Sequence, residues 1–299
     1  MSTVITAEMV RVLREKSGAA MMDCKKALTE NAGDVEASMK WLREKGISSA
    51  EKKAGRAAAE GLAGYKIEGN KGVIVEINCE TDFVARTEKF LALVDHAVVA
   101  AHKTELPSDP IKASQVLAAV AAADGQTLEH HVKSTIGTLG ENMALARVMS
   151  INVKQGVLGS YRHSDGKLVA LVALECGKAE TAAKPEIIEL AKDLAMQVAG
   201  NLPPAEVVSR EQISPELMAR EREIAVTQAA QAGAGKPQAI IDKIAEGKVN
   251  KVLQEITLLE QAFIKDTSIK IIDLLKQAGT KAGDTLSVGA FIRLKVGVK

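Results

Sequence analysis

"GLAGYKIEGNKGVIVEINC", Gly61 to Cys79, and "GVLGSYRHSDGKLVALVALEC", Gly156 to Cys176, are two versions of one phrase. Each opens Gly-x-x-Gly, carries a tyrosine, turns at Gly69-Asn70 or Asp165-Gly166, runs on through apolar and β-branched residues and ends in cysteine. Two β-runs around a glycine turn predict a hairpin. An alanine-rich helical pattern follows each, from about Thr87 to His102 and from Pro185 to Ala199. With one residue of drift, Tyr65 pairs with Tyr161 and Cys79 with Cys176. The expected fold class is α+β, its core built from two related hairpin-plus-helix halves.

Outward from this core, residues 1–46 read as three short helices. Thr6 caps the first and Ser17-Gly18 ends it, the second runs from about Met22 to Asn31, and Asp34 caps a third that stops at Gly46. A unit of under about 50 residues has a marginal core and needs a neighbour to dock on. "ISSAEKKAGRAAA", residues 47–59, reads as a linker with a solvated basic run at Lys52, Lys53 and Arg56. Between the copies, Pro107 to Ala123 gives a loop and a short helix, and Leu128 to Met149 a helix broken near Gly137 and Gly140. "NLPPAEVVSREQISPE" then punctuates the chain before a helix from Pro215 to Ala230, "AGAGKP" interrupts it, and helix resumes from 238 to about 262. The tail "FIRLKVGVK" alternates like a closing strand. The domains expected are 1–55, three helices and a linker; 56–145, the first core half; 146–202 with 235–299, the second; and 203–234, an antiparallel helical hairpin inserted in it.

The 299 residues carry 39 Lys and Arg against 38 Asp and Glu, so no global field favours phosphates or anionic membranes, and direct nucleic-acid binding is not expected. The N-terminus lacks an apolar secretory segment and no run reaches transmembrane length, which predicts no membrane association and a reducing cytoplasm. Cys24, Cys79 and Cys176 are widely spaced and read as buried thiols. His96, His102, His130, His131 and His163 form no ligand spacing, and the adjacent His130-His131 pair points two ways, leaving at least one exposed. No phosphate-binding GxxxxGKS loop occurs. The expectation is a protein that is not an enzyme and holds no cofactor or metal.

Comparing the two copies isolates what the scaffold does not need. Cys176 is followed by "GKAET", whereas Cys79 is followed by "ETDFVAR", which places one of four Phe residues beside a carboxylate. Scaffold accounts for the cysteine but not for Phe83. Asp82 has two readings: it acts on a partner, or it caps the helix that follows. A second feature, "GAAMMDCKKAL", sets Met21-Met22 beside Lys25-Lys26, either as a soft docking patch with a cationic rim or as one core methionine with solvated lysines.

"LREKSGAAMMDCKKAL" and "EINCETDFVAR" resemble the two signatures of the bacterial elongation factor Ts family, and "LGSYRH", "AGKPQAIIDKIAEGK" and "FIRLKVG" are similar to further family segments in family order. The resemblance covers nearly the whole chain. It implies a ubiquitin-associated-like N-terminal domain and a guanine-nucleotide exchange factor that binds the GTPase elongation factor Tu in its GDP-bound or nucleotide-free form. It implies that Thr81, Asp82, Phe83 and Val84 form a wedge whose ring disturbs the partner's magnesium and phosphate environment. Further partner contacts are implied at Arg14, Met21, Met22, Lys25, Leu139, Gly140 and His163, and a homodimer or a 2:2 complex is left open.

Some positions depart from the family pattern. Ser17 stands where Thr is commoner, only Arg147 stands where relatives often carry two adjacent basic residues, and the chain stops soon after "FIRLKVG", short of a helix that some relatives add. The competing readings are a ubiquitin-associated-type interaction adaptor, whose activity would survive in residues 1–55, and a thiol hydrolase using Cys79.

Overall fold

The computed structural model describes residues 4–122, 124–232 and 237–298, with backbone alone at 47–49, 51 and 232. Helix α1 (Ala7–Ser17) begins at Thr6, whose hydroxyl accepts the Met9 N–H at 3.3 Å. Helix α2 (Met21–Glu30) and α3 (Val35–Lys53) follow, with the Asp34 carboxylate accepting the Ala37 N–H at 2.8 Å. Val10, Leu13, Cys24, Ala27 and Leu28 make a very small buried core. Gly46 does not end the third helix as its type suggested. It lies mid-helix in α3, and a Cβ built on Gly137 would stand 2.5 Å from its Cα, so it serves close approach rather than termination. The linker expected at 47–59 is correspondingly shorter, since α3 runs to Lys53.

In the first half, β1 (Glu60–Glu68) and β2 (Lys71–Cys79) pair antiparallel from Glu60 opposite Cys79 to Glu68 opposite Lys71. One turn of helix, α4 (Asp82–Ala85), leads to α5 (Glu88–Lys103), and α6 (Pro110–Ala118) and α7 (Leu128–Leu139) follow. Helix α7 stops at Gly140, in the left-handed region with φ 83°, and the chain enters β3 (Met143–Asn152) on the free edge of β2. The helix expected to reach Met149 is therefore two elements. "ALARV" has good helix formers, but pairing along the whole of β2 overrides that propensity. The half boundary expected at 145 falls inside β3, and the first sheet runs to Asn152.

The second half repeats the plan with β4 (Gly156–Arg162), β5 (Leu168–Cys176) and α8 (Pro185–Gly200). An arm of two helices, α9 (Pro215–Ala232) and α10 (Gln238–Ile256), precedes the short pair β6 (Ala262–Phe263) and β7 (Asp266–Lys270). Helix α11 (Ile271–Ala282) and β8 (Leu286–Lys295) complete a sheet ordered β4-β5-β8, matching β1-β2-β3. Both middle strands carry a register shift three residues before their cysteine, between Glu76 and Ile77 and between Ala173 and Leu174. The second glycine of each Gly-x-x-Gly admits the covering helix: a Cβ on Gly64 would lie 2.5 Å from Val94 of α5, and one on Gly159 would collide with the Ala191 carbonyl of α8.

Register corrects the tyrosine pairing. Gly61 faces Asn78 and Gly156 faces Glu175, so the counterpart of Tyr65, opposite Ile74, is Ser160, opposite Leu171. Tyr161 lies one residue further and so on the other face. Tyr65 packs in the layer between the sheets, Tyr161 in the core under α8, and the Ser160 hydroxyl bonds the Tyr65 hydroxyl at 3.4 Å.

The two sheets pack back to back through Ala63, Ile74, Ile151, Leu158, Leu171 and Leu294, with helices on both outer faces. A buried carboxylate ties them at one edge. Glu76, 2% exposed, accepts Arg147 Nε at 2.6 Å and the Gly297 N–H at 3.0 Å, while Arg147 Nη2 donates to the Lys295 carbonyl at 2.7 Å. The single basic residue of "LARV" is thus committed inside the molecule.

The arm differs from the insertion expected at 203–234. Its second limb is α10, with Ala225, Ala229 and Ala245 buried where α9 and α10 meet, so the hairpin spans 215–256. Residues 205–210 instead join the second core: Ala205 and Val208 are buried there, the Leu258 N–H bonds the Val207 carbonyl at 2.9 Å, and Arg210 grips Glu260 at 2.5 and 2.8 Å. The interruption read at "AGAGKP" falls largely on residues outside the described ones. No helix among the described residues is long and apolar enough to cross a membrane.

Candidate functional site

Strand β2 delivers the chain to Cys79, whose buried thiol donates to the Thr81 carbonyl at 3.1 Å. Burial, with the charge of Glu141 adding, pushes that thiol up to about 12, so almost no thiolate exists at neutral pH. Thr81 then does two things. Its hydroxyl accepts the Val84 N–H at 3.3 Å, capping α4, and donates to Glu141 Oε1 at 2.7 Å. The Thr81 N–H reaches the other oxygen of Glu141 at 3.0 Å, and Glu80 returns the bond by accepting the Asn142 N–H at 2.6 Å. That amide, ahead of the Arg56 guanidinium, holds the Glu80 carboxyl below the usual carboxylate range.

These ties split the four residues expected to form a wedge. Thr81 and Val84 face inward, Val84 against the first core. Phe83 stands out at 80% exposure, alone among the four phenylalanines: Phe90 and Phe263 are buried and Phe291 half-buried. An isolated exposed aromatic of this size on a short, tethered turn is unlike a core residue. Asp82 does not cap a helix: Thr81 caps α4 and Thr87 caps α5, while Asp82 makes an exposed pair with Arg86 at 3.0 Å.

The Thr81–Glu141 tie carries the turn to the end of α7. Leu139 is half-buried on the core, and Gly140 is exposed with open space beside it. The α1–α2 turn rests nearby, since a Cβ on Gly18 would touch Thr138 and collide with the Lys89 side chain. Met21, Met22 and Lys25 share one exposed face of α2, the methionines at 56% and 71%, and Arg14 is exposed at the end of α1. Neither methionine is core. His163 is exposed in the β4–β5 turn, its Nδ1 3.3 Å from the Tyr161 hydroxyl. That turn lies against β1, where the Ala63 N–H bonds the Gly166 carbonyl and Lys167 pairs with Glu60. Lys167 is held above the usual lysine range chiefly by Glu60, with Asp165 and Asp82 adding. Thr81–Val84, Leu139-Gly140 and the turn bearing His163 thus connect across one region of the molecule.

Sequence reasoning missed Glu80, Glu141, Asn142 and Lys167, which support the exposed residues without being exposed like them. A signal for Glu141 was present in the repeat: "GEN" after α7 corresponds to "GDT" after α11. The remaining chemistry is sparse. His130 and His131 are both half-buried, contrary to expectation, because His131 stacks edgewise on His96 of α5 with ring centroids 4.5 Å apart. Among the described residues no three His, Cys, Asp or Glu side chains are grouped to hold a metal ion.

The Elongation factor TS family model matches residues 80–298. Among curated proteins, the chain is 43% identical over 296 residues to an elongation factor Ts of Nitratidesulfovibrio vulgaris, covering 98% of this chain and 96% of the relative. It is 43% identical over 299 residues to one from Rhodospirillum rubrum, covering 98% and 93%. With that of Nostoc punctiforme it shares 42% over 298 residues, covering 98% and 92%.

Proposed function

The chain belongs to the elongation factor Ts family, the guanine-nucleotide exchange factors of elongation factor Tu, and from that premise we propose that it speeds GDP release by inserting Phe83 into the partner's nucleotide domain in the cytoplasm. The ring disturbs the magnesium and phosphate environment, and GTP rebinding ends the encounter. The carrying observation is the 80% exposure of Phe83 on a turn fixed by the Thr81–Glu141 bonds. No covalent bond is made or broken, and the buried, protonated Cys79 gives no support to a thiol-based reaction.

Exchange is a coupling of two bindings: the factor weakens nucleotide by the same ratio that nucleotide weakens the factor. A surface that bound both states equally would shift nothing. Burying one phenylalanine supplies roughly 1.5–3 kcal/mol, about one to two decades. A tightly held nucleotide needs more, so the wedge depends on anchors. The Met21–Met22–Lys25 face with Arg14, the Leu139-Gly140 end of α7 and the His163 turn fill that role in this reading, each presenting exposed surface.

The adaptor reading draws support from the exposed methionines alone. Against it, α3 is seated on α7 through Gly46 and Gly137, which suits an anchor fixed to the core better than a free module. Stopped-flow release of fluorescent GDP from elongation factor Tu, with and without this protein, tests the proposal. Acceleration is expected; release at the intrinsic rate with full binding would favour the adaptor.

A further inference from the structure

The two halves supply an internal comparison at the foot of the wedge. Helices α7 and α11 both end on a left-handed glycine, Gly140 at φ 83° and Gly283 at φ 68°, and both are followed by an acid, Glu141 or Asp284, two residues before the strand. Across from each acid, the second residue after the cysteine donates its amide: Thr81 N–H to Glu141 at 3.0 Å, Lys178 N–H to Asp284 at 2.9 Å. A carboxylate on that amide therefore belongs to the scaffold.

The first half adds to it. There the residue that donates the amide also donates its hydroxyl, Thr81 Oγ1 to Glu141 Oε1 at 2.7 Å, and a returning carboxylate, Glu80, holds Asn142, whereas Asp284 faces the hydroxyl of Thr181, three residues beyond Lys178. In the second half Gly177 and Lys178 stand at those places, and a short 3-10 turn from Ala179 to Ala183 follows with no aromatic. The extra bonds occur where a four-residue helix must present a ring. One turn of helix is not stable by itself, so its direction depends on its ties.

We propose that Glu141 is a positioning residue for exchange, acting through Thr81 to hold Phe83 and the Leu139-Gly140 end of α7 as one rigid surface. This rests on the wedge reading. Loosening the tie lowers the fraction of bound molecules with the ring in place, so release within the complex slows by that fraction while the other contacts keep most of the affinity. The Thr81 hydroxyl bond, charge-assisted and half-buried, sets the scale.

The test compares Glu141→Gln, Thr81→Val, Thr81→Ser and Asp284→Asn, measuring GDP release from elongation factor Tu at saturating factor, affinity for the GDP-bound partner, and Tm. Glu141→Gln and Thr81→Val are each expected to slow release roughly three- to tenfold with affinity changed far less, and the double variant to be little slower than either. Thr81→Ser should restore the wild-type rate. Asp284→Asn, which leaves one acceptor oxygen for the Lys178 and Thr285 amides of the other half, should lower Tm and leave release unchanged. Normal release with Glu141→Gln, equal slowing by Asp284→Asn, or Thr81→Ser as slow as Thr81→Val overturns the proposal. If Glu141→Gln fails to fold, the Ser and Val variants of Thr81 decide it. Phe83→Ala separates the two levels: if it slows release while these variants do not, only the positioning role fails; if it releases at the wild-type rate, the wedge reading fails.

Discussion

Gly46 of α3 and Gly137 of α7 meet backbone to backbone, and this contact seats the small N-terminal unit on the core. A Cβ on Gly137 would be 2.5 Å from the Gly46 Cα and 3.3 Å from its carbonyl carbon. Gly137→Ala should gain helix propensity yet destabilise by about 1–3 kcal/mol through overpacking. It should also speed proteolysis near residues 54–59. Gly247→Ala is the control, being mid-helix in α10 with nothing within 4 Å, and should stabilise by about 0.5–1 kcal/mol. Thermal melts of the two variants should therefore move in opposite directions.

The Glu76–Arg147 pair fastens β8 to the first sheet. Removing only the cation leaves a buried carboxylate without its partner, so Arg147→Ala should lose about 3–5 kcal/mol in urea unfolding. A Glu76→Gln, Arg147→Met double variant should recover much of this, because no buried charge is stranded.

His96 packs against His131 between α5 and α7, and burial first, then the charge of His131, holds its pKa below the ordinary imidazole value, with Asp124 opposing. The folded protein favours neutral His96, so on acidification the unfolded chain takes up its proton first. Stability from this group is full above the ordinary imidazole pKa and is lost as pH falls through the lower folded value. Melting between pH 7.5 and 5 should show this decline, and His96→Gln should flatten it.

Hairpins, the duplicated core and most helix starts were legible because each has a local cause: Thr6 and Thr87 cap by their hydroxyls, and glycine turns join alternating strands. What was hidden depends on partners distant in sequence. The "ALARV" segment becomes strand only because β2 has an open edge, and Gly46 looks like a stop signal until α7 is beside it. Tyr161 differs from Tyr65 by one register step, which similarity of letters conceals. At the site, Phe83 stood out because its repeat lacks it, whereas the repeat marks Glu141 and Asp284 only as a shared acid, and the bond from the Thr81 hydroxyl to Glu141 joins residues sixty apart in sequence.

Release of fluorescent GDP from elongation factor Tu by Phe83→Ala, at saturating factor and beside a direct binding measurement, bears most closely on the wedge. Release roughly ten- to a hundredfold slower than wild type, with binding to the GDP-bound GTPase reduced only a few-fold, is the predicted result. Wild-type release by the variant would contradict it.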